Sequence, residues 1–342
     1  MRSITPIHVR GRAIALAICR QLSSIALTIG VLGVLLIAFD NAYAEADSAS
    51  AAAAPRRIAV VYPDLGEPYG SVFVAINKGI RDQLGVSPVL IALRNETPEQ
   101  IRARLTQAQV DACIGLGRTT LAMLDDLALD IPIIRGAVLD PQVRVGGSGA
   151  ALGISLSPDP ALLLEHLKRL APGVSRVTVV YSDPHGQPLI DRARKTGERL
   201  GLKILSYKAE DLLTAAAVYK SLVPRLGAGD ALWIPQDPQA VDDKVILPML
   251  LNAAWEQDFV LFSSNADHAK RGVLFSVYPD NVGMGRRLAQ IAMQRATGQS
   301  AEAGMQPLED LLIGVNLRAA EHLRLNLSAE QTRSFDLTFP QR

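Results

Sequence analysis

Cysteine is nearly absent, aromatic side chains are sparse, and net charge is close to zero. Only Cys19 and Cys113 occur in 342 residues, too few for the bridged framework of a small disulfide-rich domain. Cys113 sits in the apolar run Ala112-Cys-Ile-Gly-Leu-Gly117, the setting of a buried and inert thiol. Lys and Arg number 35 against 34 Asp and Glu, giving +1, or −2 when residues 1–44 are set aside. A near-neutral domain lacks the basic footprint for nucleic acid or an anionic membrane surface. Beyond the leader, His166, His185, His268 and His322 are scattered without ligand spacing, so neither a metal nor a cofactor is expected. Catalytic motifs fail as well. Gly115-Leu-Gly117-Arg118-Thr119 lacks the lysine and the spacing of a phosphate loop. Gly146-Gly-Ser-Gly-Ala150 ends in alanine and precedes a strand, unlike a nucleophile elbow. No enzyme is expected.

What is present begins with a leader. Arg2, Arg10, Arg12 and Arg20 precede an uncharged apolar run from Leu22 to Phe39, and Ala42-Tyr-Ala44 follows as a small-residue cleavage site. Residues 1–44 read as a secretory signal, which places the remainder in the periplasm. The alternative is an uncleaved anchor in the inner membrane through residues 22–39, since about 18 apolar residues can span a bilayer. Residues 45–55 form an Ala/Ser tether without periodicity. The following stretch of about 300 residues is long enough for two cored lobes.

From residue 56 onward, β-rich runs alternate with amphipathic ones. Arg57 to Pro63, Pro88 to Leu93, Ala112 to Gly117, Ile131 to Ile134 and Leu152 to Leu156 read as strands. Between them, Ser71 to Leu84 carries a helical apolar face, and Thr97-Pro98-Glu-Gln100 is a capped helix start. Ser157-Pro158-Asp159-Pro160 then opens a helix through Leu170, and Arg176 to Ser182 starts the same alternation again. Strands follow at Leu202 to Tyr207, Asp230 to Asp237, Phe259 to Ser264, Val273 to Tyr278 and Leu311 to Leu317. A helix is expected from Val241 to Ala254 with a kink at Pro248, and another from Val282 to Ala296. This alternation predicts two doubly wound parallel sheets of the α/β class. The expected division is residues 56–153 plus 279–303 for lobe I and 154–278 plus 304–342 for lobe II.

Several segments, in order and spacing, resemble one family. They are Ile131-Pro-Ile with Val138-Leu-Asp-Pro141, Leu152-Gly-Ile-Ser, Leu170-Ala-Pro-Gly-Val-Ser-Arg-Val, and Asp230-Ala-Leu-Trp-Ile-Pro-Gln-Asp237. Gly272 to Gly285 and Val315-Asn-Leu-Arg-Ala-Ala320 complete the set. Over nearly all of residues 56–325 the chain resembles the ABC-transporter substrate-binding proteins of the type I periplasmic fold, in the family that includes tryptophan- and tyrosine-binding members. The resemblance implies a clamshell with hinge crossings that captures a small molecule, with an amino acid favoured, and delivers it to an ABC permease of the inner membrane. A monomer is expected. The alternative is a ligand-sensing subunit that regulates a membrane receptor or signalling protein without transport. Two loops depart from the family pattern: Arg118-Thr119-Thr120 replaces a Thr-Pro-Ala-like turn, and Asp237-Pro238 replaces Asp-Asn.

In open α/β sheets ligands bind at the carboxyl ends of strands. That rule selects Tyr62, Tyr69, Arg118, Thr119, Thr120, Ser182, Asp183, Gln236, Asp237, Ser263 and Asn265 as ligand-binding candidates. Arg118, beside two hydroxyls at a helix start, suits a carboxylate. Asp237 suits an ammonium group, and the family resemblance points to the same loop. The tyrosines could stack on an apolar or cationic ligand portion.

Overall fold

The structure is a computed structural model that describes residues 56–67, 69–139, 151–182, 186–300 and 304–340. The first sheet has six strands in the order β11-β5-β4-β3-β1-β2. They are β1 (Ile58–Pro63), β2 (Val89–Leu93), β3 (Ala112–Leu116), β4 (Ile133–Val138), β5 (Leu152–Pro158) and β11 (Met305–Leu308), all paired in parallel. The second sheet has seven strands in the order β13-β12-β10-β9-β8-β6-β7. They are β6 (Arg176–Tyr181), β7 (Lys203–Lys208), β8 (Asp230–Ile234), β9 (Val260–Ser263), β10 (Phe275–Pro279), β12 (Leu311–Asn316) and β13 (Leu337–Phe339). Among the described residues, only the β10–β12 pairing is antiparallel.

Among the described residues, the helices of the first lobe are α1 (Tyr69–Leu84), α2 (Pro98–Ala108) and α3 (Arg118–Asp126). Those of the second are α4 (Pro160–Leu170), α5 (Gly186–Leu200), α6 (Leu212–Leu222), α7 (Ile246–Gln257) and α8 (His268–Arg271). After β10 the chain sends α9 (Asn281–Ala296) back to the first sheet, and α10 (Leu317–His322) and α11 (Ala329–Arg333) close the second lobe. Strand alternation explains why each sheet is covered on both sides. In β1, Ile58 and Val60 face a layer with α1 and α9, whereas Ala59 and Val61 face one with Ile101 and Leu105 of α2. In β6, Val177 and Val179 face Leu163 and Leu167 of α4, whereas Val180 faces Tyr219 of α6 and Leu247 of α7.

The helix starts follow the sequence signals. Thr97 and Gln100 form a reciprocal capping box with Pro98 in the first turn of α2, and Asp159 caps α4 ahead of Pro160. Other expectations change. Residues 242–245 are not helical, because the Asp242 carboxylate accepts from the N–H groups of Lys244, Val245 and Ile246. With α7 starting at Ile246, Pro248 falls in its first turn, where no intrahelical N–H is needed and no kink results. Strands β11 and β13 were not visible as apolar runs: each has four residues or fewer and lies at a sheet edge.

The sheets exchange the chain at three crossings. They are Pro158–Pro160 between β5 and α4, Pro279–Asn281 between β10 and α9, and Leu308–Leu311 between β11 and β12. Backbone bonds tie these together: Asp159 N donates to Leu308 O at 2.8 Å, and Asp280 N donates to Asp310 O at 2.9 Å.

Two glycines bring α1 and α9 together through their backbones. A Cβ on Gly79 would lie 2.0 Å from the Val282 carbonyl oxygen, and one on Gly285 would lie 2.1 Å from that of Ile76. Both contacts are with backbone, so neither neighbour can turn aside. Gly79→Ala and Gly285→Ala are each expected to destabilise the protein by about 1–3 kcal/mol or more. Val74→Ala, on the exposed side of α1, should stay within about 0.5 kcal/mol of the parent. Urea unfolding of the three variants checks this, and equal midpoints would contradict the packing.

Candidate functional site

The carboxyl ends of both sheets carry the expected groups. On the first lobe, Tyr62 lies at the end of β1 and stacks on Phe73 of α1, with ring centroids 6.2 Å apart. Tyr69 opens α1 and is exposed. The chain leaves β3 through Gly117, at φ 85°, directly into α3. That backbone conformation suits glycine and leaves the helix with no side-chain cap. Arg118 and Thr119 are exposed at this open N-terminus, and Arg118 makes no hydrogen bond or ion pair with the described residues. Thr120, in the same first turn, is fully buried, and its hydroxyl has no hydrogen-bond partner among the described residues.

The far end of this helix is anchored to the sheet. Arg135 on β4 is 4% exposed, and its guanidinium reaches both carboxylate oxygens of Asp125 in the last turn of α3. A buried bidentate pair fixes orientation, because breaking it would strand a charge in the interior.

On the second lobe, Ser182 and Asp237 meet. Asp237 Oδ2 accepts from Ser182 N and from Ser182 Oγ, each at 2.7 Å, and Asp237 Oδ1 accepts from Gln239 N at 3.0 Å. The carboxylate therefore ties the loop after β6 to the loop after β8 and keeps free acceptor capacity on Oδ1 alone. Tyr219 of α6 brings a fully buried phenol near it; burial, reinforced by Asp237, pushes that phenol up from its ordinary pKa. Gln236 is exposed beside Asp237. Asp183, expected in the same site, lies outside the described residues, as does His185.

Ser263 and Asn265 take part in local contacts at the end of β9. Ser263 is fully buried; its hydroxyl lies 2.8 Å from His268 Nδ1 and accepts from Asn265 N at 2.9 Å. Asn265 Oδ1 in turn accepts from Asp267 N. His268 Nε2 lies 2.9 Å from Asp243 Oδ1. A carboxylate only accepts, so Nε2 carries the proton and the neutral ring takes the Ser263 hydroxyl at Nδ1. The serine–histidine–aspartate order resembles a nucleophile relay, but a serine with no exposed surface cannot reach a substrate. It is a structural clasp between β9, α8 and the segment before α7. Sequence reasoning missed His268 because the histidines were judged by metal spacing and not by their distance from serine and aspartate in space.

Trp233 also braces this end of the sheet, donating from Nε1 to Ser264 Oγ at 2.9 Å. Among the described residues no group of three or more His, Cys, Asp or Glu side chains could hold a metal, and no helix is long and apolar enough to cross a membrane.

Known proteins place this geometry in context. The family described as ABC transporter substrate binding protein matches residues 94–332. No curated protein matches the chain in sequence. The ligand-free, open structure of CD0873 from Clostridium difficile, a substrate binding protein with adhesive properties, aligns with a TM-score of 0.59 at 17% identity, covering 82% of this chain and 99% of that one. A Streptococcus pneumoniae ABC domain in complex with L-Trp aligns with a TM-score of 0.48 at 16% identity, covering 83% of this chain and 99% of that one. The first of these supports a shared two-lobed fold.

Burial lowers the His268 pKa below its ordinary value, with the nearby Asp243 opposing the shift. The folded state thus prefers the neutral ring. This contribution is complete above the unfolded value of 6.5 and is lost as the pH falls through the lower folded value. His166, which burial also lowers, adds in the same direction. Urea midpoints should therefore drop from about pH 7.5 to about pH 5, and His268→Gln should flatten part of that drop. An unchanged slope in the variant would contradict the clasp.

Proposed function

Since the chain belongs to the ABC transporter substrate-binding protein family, we propose that it is an exported solute-binding protein whose ligand carries a carboxylate, an amino acid being favoured. Its family binds small molecules and works with ABC permeases. The proposed route runs from capture between the carboxyl edges of the two sheets to delivery at a permease of the inner membrane. The leader at residues 1–44 supports export to the periplasm. Lobe boundaries are proposed at the three crossings near residues 159, 280 and 309, where the chain changes sheets.

The observation that carries the ligand class is the open start of α3. Uncapped N–H groups, the helix dipole, the Arg118 guanidinium and the Thr119 hydroxyl converge there, and together they favour an anion. Across the sheets' carboxyl edge, Asp237 Oδ1 keeps capacity for one further donor, which suits an ammonium group. Tyr62 and Tyr69 supply aromatic surface near the same edge of the first sheet. Closure is the hinge motion in which contacts from both lobes favour one conformation.

Thermal shifts of the chain from Glu45 onward test the reading. Amino acids should be compared with their amides and decarboxylated amines, alongside sugars and nucleosides. A ligand at a hundred times its Kd adds about 2.7 kcal/mol, a rise of a few degrees. The expected result is a shift with a free amino acid, absent with its amide and weakened about tenfold or more in Arg118→Ala. A shift with a sugar or nucleoside, unaffected by Arg118→Ala, would overturn the carboxylate assignment.

A further inference from the structure

Each of the three crossings between the sheets carries an acidic residue, and the structure treats one of them differently. Asp159 is engaged on both oxygens: Oδ1 accepts from Ala161 N at 2.8 Å, and Oδ2 pairs with Arg192 at 3.3 Å. Asp280 caps α9 through Oδ1, which accepts from Val282 N and Gly283 N, each at 3.0 Å. Asp310 caps nothing. Its Oδ2 is closed off from solvent and has no hydrogen-bond partner among the described residues.

The Asp280 and Asp310 carboxylates both border the space a side chain on Gly283, the third residue of α9, would fill. A Cβ at that position would lie 2.7 Å from Asp280 Oδ2 and 3.0 Å from Asp310 Oδ1. Glycine is what admits the second acid to this corner. The charged groups around Asp310 come from three sources. Asp280 and the arginines Arg286 and Arg287 belong to the crossing into α9 and to α9 itself, and Glu309 precedes Asp310 in the chain. Arg287 Nε is 3.7 Å from Asp310 Oδ2, an ion pair beyond hydrogen-bonding range, while its Nη1 is committed to Glu309 at 2.8 Å. Arg286 pairs with Asp82 at 3.6 Å. Two carboxylates therefore share a corner whose nearest cation, Arg287, is divided between Asp310 and Glu309.

We propose that Asp310 makes the hinge proton-responsive: its protonated carboxyl donates to Asp280 Oδ2 and holds the crossings in the conformation described here, and its ionised form releases them. The step is a simple proton uptake from water. It replaces like-charge repulsion by an O–H···O⁻ bond, the stronger class of hydrogen bond. Because Asp280 N already donates to Asp310 O, the same two residues are joined through backbone and side chain when the proton is present. Burial raises the Asp310 pKa above its ordinary value, Arg287 opposes that, and Asp280 and Glu309 add to the rise. The inference rests on the two-lobe, hinged reading but needs no knowledge of the ligand.

The test is the ligand-free separation of the lobes. Spin labels on Val86→Cys and Leu213→Cys, exposed positions of the first and second lobes, report a distance distribution by double electron–electron resonance. In the chain from Glu45 onward Cys19 is absent, and Cys113 is buried and does not compete for label. Between about pH 7.5 and about pH 4.5, the native distribution should shift towards a single narrower population. Asp310→Asn, which keeps the shape and supplies an N–H donor, should show that acid population at every pH. Asp280→Asn keeps the helix cap but removes the charged acceptor, and should lose the shift. A native distribution that does not move with pH, or a full shift retained in either variant, would overturn the proposal. A failed thermal-shift panel would leave this measurement intact, so the two readings fail separately.

Discussion

The architecture depends on the backbone-to-backbone contact of α1 with α9. Gly79 and Gly285 remove the side chains that would otherwise hold the two helices apart, and each glycine faces a carbonyl oxygen of the opposite helix. Helix α9 arrives from the second sheet, immediately after β10, yet it buries Met284, Leu288 and Ala292 in the core of the first. One side of the first lobe is thus completed by a segment that must first pass through the second. Two of the three crossings, at Pro279–Asn281 and Leu308–Leu311, exist because of this return. A hinge is the direct consequence: three short strands of chain join two separately cored bodies, and backbone bonds between them keep the joint narrow.

Within each lobe, the polar groups at the sheet's carboxyl edge are placed by the same local device. A strand ends, the chain turns at the carboxyl edge of the sheet, and a helix begins with its N-terminus directed at that edge. In the first lobe the device is left open at α3, where Gly117 supplies no cap. In the second it is closed by Asp237, which spends most of its acceptor capacity on Ser182 and Gln239. The two lobes therefore present unequal surfaces. One offers uncommitted donors, and the other a carboxylate with a single vacant position.

Much of the fold was legible because it is written in periodicity and punctuation. The capped starts at Thr97-Pro98 and Asp159-Pro160, and the continuous apolar runs of β1, β3, β6 and β8, announce parallel strands and helices without help from tertiary contacts. The short edge strands β11 and β13 carried no such signal, because pairing to a neighbour and not their own composition makes them strands. Position at a strand end was also legible, and it selected Arg118, Thr119, Ser182 and Asp237 from sequence alone. Role was not. Ser263 stands at a strand end like the others, but the side chain of a residue five positions later in the chain, His268, draws it into the interior. The acidic residues of the crossings were equally silent, since Asp280 and Asp310 are 30 residues apart in sequence and meet only through the path of the fold.

The return of α9 also sets an order on biosynthesis. A ribosome completes β1 to β5 long before residues 281–296 exist, so the glycine face of α1 has nothing to cover it while the whole of β6 to β10 is being made. Five of the second sheet's seven strands, β6 to β10, are made before α9. The lobe that begins the fold therefore waits for a segment made only after most of the other lobe, and through that interval its unfilled groove needs protection.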